Sequence, residues 1–187
     1  MPYIVSLSAI AGGGKTTVTN LLTGLLNNTA ILSFDSYKGD LLGCDYCEWS
    51  ERGADYNEWH LEPLINDIEK LSAEGYNYIL LDYPFGYGNV SVRKFIDLAV
   101  FIDTPLDIAL ARRIIRDYTR RDSSRRAIDD KLGHMDNTLS YYIECHRNTF
   151  IKHRDTVMPY CDLIVDGMMT PIEIAKNIAD KILSGSK

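Results

Sequence analysis

The sequence predicts a doubly wound α/β domain, with a five-stranded, mostly parallel sheet and helices on both faces. Three observations predict it. Five short apolar runs each end beside an acid or a small polar residue. Segments with helical spacing separate them. A glycine cluster stands at the first strand-to-helix junction, where open α/β sheets place their ligand crevice.

The first strand is the run around Tyr3, Ile4, Val5 and Leu7. The first helix follows from Val18, because Val18, Leu21, Leu22, Leu25 and Leu26 fall at i, i+3, i+4, i+7 and i+8. Between them lies AIAGGGKTT, a pattern suited to phosphate. Gly12, Gly13 and Gly14 let successive backbone N–H groups turn toward an anion, and the helix N-terminus at Lys15, Thr16 and Thr17 adds partial positive charge. Lys15 supplies a cation for the β and γ phosphates, and Thr16 a hydroxyl for the magnesium ion that accompanies a nucleoside triphosphate. The full pattern G-x-x-x-x-G-K-[ST] has Ala9 in its first position here. The loop is therefore expected to lean on Gly12 and Gly13.

Length and composition bound the rest. A chain of 187 residues is the size of one domain, and 45% hydrophobic with 25% charged residues is ordinary for a globular protein. A net charge of −6 speaks against general attraction to nucleic acid. No apolar run is long enough to span a bilayer, and no export signal is read at the start. Cys44, Cys47, Cys145 and Cys161 are too scattered for a disulfide framework, so a reducing cytoplasm is expected. Cys44 and Cys47 form C-x2-C, but no second pair completes a zinc site.

The second strand, Ala30 to Phe34, ends at Asp35, the first candidate for a catalytic base; capping a turn is the alternative for that side chain. Tyr37 follows it beside the same edge. Residues 38–58 show no clean period and read as a long irregular excursion. Trp59, Leu61, Leu64, Ile65, Ile68 and Leu71 outline a second helix, closed by Gly75. The third strand, Tyr78 to Leu81, ends at Asp82, which resembles a Walker B position and so predicts a carboxylate on the ion that Thr16 touches. Tyr83, Phe85 and Tyr87 then suit either an acceptor pocket or packing.

The fourth strand, Leu98 to Ile102, leads through Asp103, Thr104 and Pro105 into a helix expected to run to about Arg121. Seven of the eleven arginines lie between Arg112 and Arg126, an excess of positive charge that fits a lid closing on phosphate. A long helix is expected from about Asn137 to His153, with His146 and His153 as surface or packing residues. A fifth strand, Cys161 to Asp166, the turn at Gly167 and a helix from Pro171 to Leu183 complete the chain.

VRKFIDLAVFIDTPLDIALARRIIRD, SFDSYK and YCDLIVDG resemble the P-loop small-molecule kinases, specifically the uridine kinase and phosphoribulokinase group. The resemblance implies a three-layer P-loop NTPase fold in one domain over 1–187 with an Arg-rich lid at about 112–126. It implies ATP and Mg2+ as cofactors and transfer of phosphate to a hydroxyl of a small molecule, a nucleoside being the leading acceptor. By the same resemblance Asp35 activates the hydroxyl, Arg113 and Arg116 close on the triphosphate, Arg112 and Gly167 border the nucleotide, and Tyr37, Tyr83 and Phe85 border the acceptor. Nucleic acid and membrane are not expected partners, and a homo-oligomer is allowed. A GTPase is the weaker alternative, since N-K-x-D is absent. A nucleotide-binding regulator without activity is another, for which Ala9 and the glycine-free lid are the arguments.

Overall fold

A computed structural model describes residues 1–37, 41–119 and 125–185. The strands are β1 (Tyr3–Ser8), β2 (Thr29–Ser33), β3 (Tyr78–Asp82), β4 (Leu98–Asp103) and β5 (Leu163–Asp166). They form one sheet in the order β2-β3-β1-β4-β5, and every pairing is parallel. Register aligns Leu7 and Ser33 with Asp82, and Asp103 with Asp166, so the acids that end the apolar runs share one edge. A parallel sheet needs both faces covered, and alternation along each strand supplies two apolar faces.

On one face Val5, Leu7, Leu80 and Val100 meet α1 (Lys15–Leu22) and α8 (Pro171–Gly185) through Val18, Leu22, Ile178 and Ile182. On the other, Ile4, Ile79, Leu81 and Phe101 meet α3 (Glu62–Ala73) and a cluster of aromatic rings. β3 is buried along its whole length, which is why its sequence is a continuous apolar run. Three layers result.

Several elements depart from their sequence expectation. α1 ends at Leu22, and the turn that follows exposes Leu25 while burying Leu26. Residues 38–58 contain α2 (Tyr46–Glu51), whose N-cap Asp45 accepts from the backbone N–H groups of Cys47 and Glu48. Six residues are too few to display a helical period. After α4 (Val90–Arg93), helix α5 (Leu106–Ile114) passes at Ile115–Thr119 into a π-helical turn instead of continuing to Arg121. The expected helix over 137–153 is instead α6 (Arg125–Tyr141), a second π-turn at Tyr142–His146, and α7 (Arg147–Val157). An i→i+5 turn inserts a residue and shifts the apolar phase, so a fixed 3.6 period cannot follow the helix through it.

The lid expectation falls partly outside the described residues, namely Arg120, Arg121 and residues 122–124, with the side chains of Arg125 and Arg126. The cysteines also correct the sequence reading. Cys47 on α2 and Cys145 in the second π-turn are joined as a disulfide, with Cα atoms 5.9 Å apart, whereas Cys44 and Cys161 are free thiols.

Candidate active site

The loop between β1 and α1 works without a glycine in its first position. Ala9 is buried and has no positive φ; the left-handed residues are Gly12 at φ 85° and Gly14 at φ 97°. The expected pair was Gly12 and Gly13, so the conformational demand lies one residue further on. Gly13 is needed for space instead, because a Cβ there would lie 2.8 Å from the Ala9 methyl. Gly12 is needed for both reasons, since a Cβ would also run into the Ala109 carbonyl on α5. Gly13 N–H donates to the Ile10 carbonyl at 2.9 Å, and Thr104 Oγ1 donates to the Gly13 carbonyl at 3.0 Å. The Asp-Thr turn after β4 thus braces the loop.

Lys15 and Thr16 converge on Asp82. Lys15 Nζ donates to one carboxylate oxygen, and Thr16 Oγ1 donates to the other at 2.7 Å. Asp82 is only 1% exposed, so its charge requires such partners. A threonine hydroxyl beside a carboxylate is a hard-oxygen donor set, which fits magnesium. Among the described residues no group of three or more His, Cys, Asp or Glu could hold a metal.

Asp35 lies on the 3-10 turn Phe34–Ser36 that ends β2, and it is exposed. It lines one cavity of about 520 Å3 with the loop from Ile10 to Thr17 and with Arg112, Arg113, Ile115 and Arg116. Asp117 organises two of those cations. Arg116 donates to it through Nε at 2.7 Å, and Arg113 Nε stands 3.7 Å away. The Asp117 hydrogen bond first, and the charges of Asp117 and Asp35 after it, hold the Arg116 guanidinium above its usual pKa. Arg112 turns the other way, both terminal nitrogens donating to the Gly167 carbonyl at 3.2 Å. A Cβ on Gly167 would collide with Thr104, so glycine is required where these segments meet.

Gly12 to Thr17, Asp35, Arg112, Arg113 and Arg116 therefore share one cavity, with Asp82 tied to Lys15 and Thr16 and Gly167 tied to Arg112. The three expected acceptor residues stand elsewhere. Tyr37 donates to Asp67 on α3 at 2.8 Å. Tyr83 is fully buried, with rings of Phe34 and Phe85 at 6.0 and 5.2 Å. Phe85 borders a separate cavity of about 590 Å3 with Tyr56, Tyr87 and Arg93. Sequence reasoning missed Asp117 and Thr104. Asp117 was findable, four residues after Arg113 on a helical face; Thr104 acts through a tertiary contact that no spacing encodes.

Comparison with known proteins adds a family likeness and a shared fold. Residues 74–159 match the Phosphoribulokinase / Uridine kinase family. The likeness to that family covers this middle stretch of the chain. A uridine kinase of Borrelia duttonii is 22% identical over 88% of this chain and 86% of its own length. One from Psychromonas ingrahamii is 35% identical over 98 residues, covering 52% of this chain and 42% of its own. Among solved structures, a Bacillus stearothermophilus protein described as a possible uridine kinase superposes with a TM-score of 0.55 at 15% identity, covering 88% of this chain and 89% of that one. Shikimate kinase from Acinetobacter baumannii in complex with shikimate gives 0.54 at 19%, covering 98% and 94%. The fold of this chain is that of the P-loop small-molecule kinases.

Proposed function

We propose that the protein transfers the γ-phosphoryl group of ATP to a hydroxyl of a small molecule, and that a nucleoside, as in the uridine kinases it resembles, is the leading acceptor. The observation that carries this reading is the placement of Asp35 in one cavity with the phosphate loop and Arg116. Asp35 takes the proton of the acceptor hydroxyl, the oxygen bonds to the γ-phosphorus, and the bond to the β–γ bridging oxygen breaks to release ADP. Lys15, the loop amides and Arg113 and Arg116 balance the charge that spreads over the transferring group. Asp117 holds both arginines ready, so little reorganisation is needed. Thr16 and Asp82 would hold Mg2+, which when bound supplies charge neutralisation between the β and γ phosphates. A homo-oligomer belongs to the same reading, whereas the Cys47–Cys145 disulfide removes the ground on which a reducing cytoplasm was expected; among the described residues no helix is long and apolar enough to cross a membrane.

Asp35→Asn keeps the shape and removes the base. It is expected to lower kcat by about 100-fold or more while ATP affinity stays within about twofold. A coupled ADP-release assay with a parallel ATP titration measures both. Unchanged turnover would remove Asp35 from the role of base, and no transfer to any alcohol by the unaltered protein would remove the kinase reading.

A further inference from the structure

The phosphate loop contains one peptide that its own sequence leaves free to turn. The Gly13–Gly14 peptide has no Cβ on either side, so rotation of the whole amide plane meets little steric resistance. Its two orientations are opposite in chemistry. In a trans peptide the C=O and N–H point in opposite directions, and no described peptide bond is cis. One orientation therefore shows an anion in the loop the Gly14 N–H, and the other shows it the Gly13 carbonyl oxygen.

The structure holds one of the two. Thr104 Oγ1 donates to the Gly13 carbonyl at 3.0 Å from a buried position that is not part of the phosphate cavity's lining. That carbonyl is thereby turned away from the cavity. Gly14, which lines the cavity, has its N–H on the reverse side of the same peptide, without a hydrogen-bond partner among the described residues. The amide one residue earlier differs, because Gly13 N–H is spent on the Ile10 carbonyl at 2.9 Å. Thr104 is itself firmly placed. The Asp103 carboxylate is paired with Arg154 on α7, the Asp103 carbonyl accepts from Gly167 N–H at 2.8 Å, and Pro105 follows with a fixed φ. A β-branched side chain on so fixed a turn has few χ1 alternatives.

Resting on the kinase reading above, we propose that Thr104 is a positioning residue for the nucleotide's phosphates: its hydroxyl fixes the Gly13–Gly14 peptide so that the Gly14 N–H, and not the Gly13 carbonyl, is presented to them. Thr104 touches no substrate. It acts by removing an alternative, since a flipped peptide sets a carbonyl oxygen against phosphate oxygens and withdraws a donor from the same place. What the loop needs from position 104 is a hydroxyl. Serine supplies one, and valine, with the same shape, does not.

Mg-ADP is the probe, because it carries phosphates and needs no acceptor. In calorimetric titration of the whole protein, Thr104→Val should raise the Kd for ADP by about tenfold or more, the loss of one hydrogen bond to a charged group, while Thr104→Ser stays within about threefold. In turnover Thr104→Val should raise the KM for ATP by a similar factor and leave kcat and the acceptor KM within about twofold. Amide hydrogen exchange read by NMR gives the direct signature. ADP should slow exchange at Gly14 N–H in the unaltered and Ser proteins but not in Thr104→Val, whereas Gly13 N–H should be slow with and without ADP. The measurement on the unaltered protein decides the matter if the Val variant does not fold: Gly14 exchange indifferent to ADP would overturn the assignment. Equal ADP affinity in the Val and Ser variants would also overturn it, and a lowered melting temperature with ADP affinity kept would reduce Thr104 to packing. No binding of ADP or ATP by the unaltered protein would overturn the kinase reading and this inference together, whereas binding indifferent to the Thr104 hydroxyl overturns this inference alone.

Discussion

His153 shows how a single residue can be read correctly as to role and still carry a consequence no sequence pattern reveals. It packs, as expected, but in the interior: 5% exposed, Nδ1 3.1 Å from the Tyr56 hydroxyl and its ring among Tyr56, Phe85 and Phe101. Desolvation pushes its pKa down to about 4. The unfolded chain's imidazole titrates near 6.5. Between these values the unfolded state takes up a proton that the folded state refuses, so stability falls as pH drops from about 6.5 to about 4, by roughly 3 kcal/mol at the lower end. Above that window the residue contributes no pH dependence. Urea unfolding from pH 7 to pH 4 should show this slope, and His153→Gln, which cannot titrate, should flatten it; parallel profiles for the two proteins would show that burial does not set the titration. At this scale the sequence was most informative where chemistry demands a residue type at fixed spacing, as at Lys15, Thr16 and Asp82. It could not place His153 in the interior, because the rings around that residue come from positions about 50 to 100 residues away in the chain.

At the scale of elements, α7 is tied to β4 and to α2 by side-chain bonds that hold it beside the Arg-rich segment. Arg154 makes a two-pronged pair with Asp103 at 2.7 and 2.8 Å, anchoring α7 to the end of β4. Lys152 Nζ donates to the Ser50 carbonyl at 2.6 Å, anchoring it to α2. The Cys47–Cys145 bond adds a covalent tie across a separation of 98 residues, between α2 and the π-turn that leads into α7. Closing so long a loop removes disorder from the unfolded chain, worth about 2–4 kcal/mol. Cys47→Ser, or reduction with dithiothreitol, is therefore expected to lower the melting temperature measurably, with ATP affinity unchanged because the phosphate loop touches neither cysteine. Loss of ATP binding on reduction would contradict that separation. The strands and their order of appearance were legible because a buried parallel sheet writes itself as apolar runs. The helices around residues 115–119 and 142–146 were not, because each π-turn changes the phase on which the reading depends, and α2 was too short to have a phase.

For the molecule as a whole, two apolar layers stabilise the sheet without help from the site, while the site hangs from the ends of β1, β2, β3 and β4 at one edge. Asp82 belongs to both systems, being the last residue of β3 and almost wholly buried. Its charge is balanced by Lys15, so the lysine that would bind ATP also stabilises the protein without ATP. Mg-ATP at a hundredfold excess over its dissociation constant should add about 2.7 kcal/mol, which for a chain of this size is roughly 5–10 °C in melting temperature. Lys15→Ala should abolish most of that shift. It should also lower the melting temperature without nucleotide, because it strands a buried carboxylate. The two effects are separable. Adding Asp82→Asn to Lys15→Ala removes the stranded charge, and is expected to restore part of the lost stability but none of the ATP shift. If the double variant melted no higher than Lys15→Ala, the charge balance at Asp82 would not be what the lysine contributes to the fold. If it recovered the ATP shift, Lys15 would not be the phosphate ligand on which the kinase reading depends.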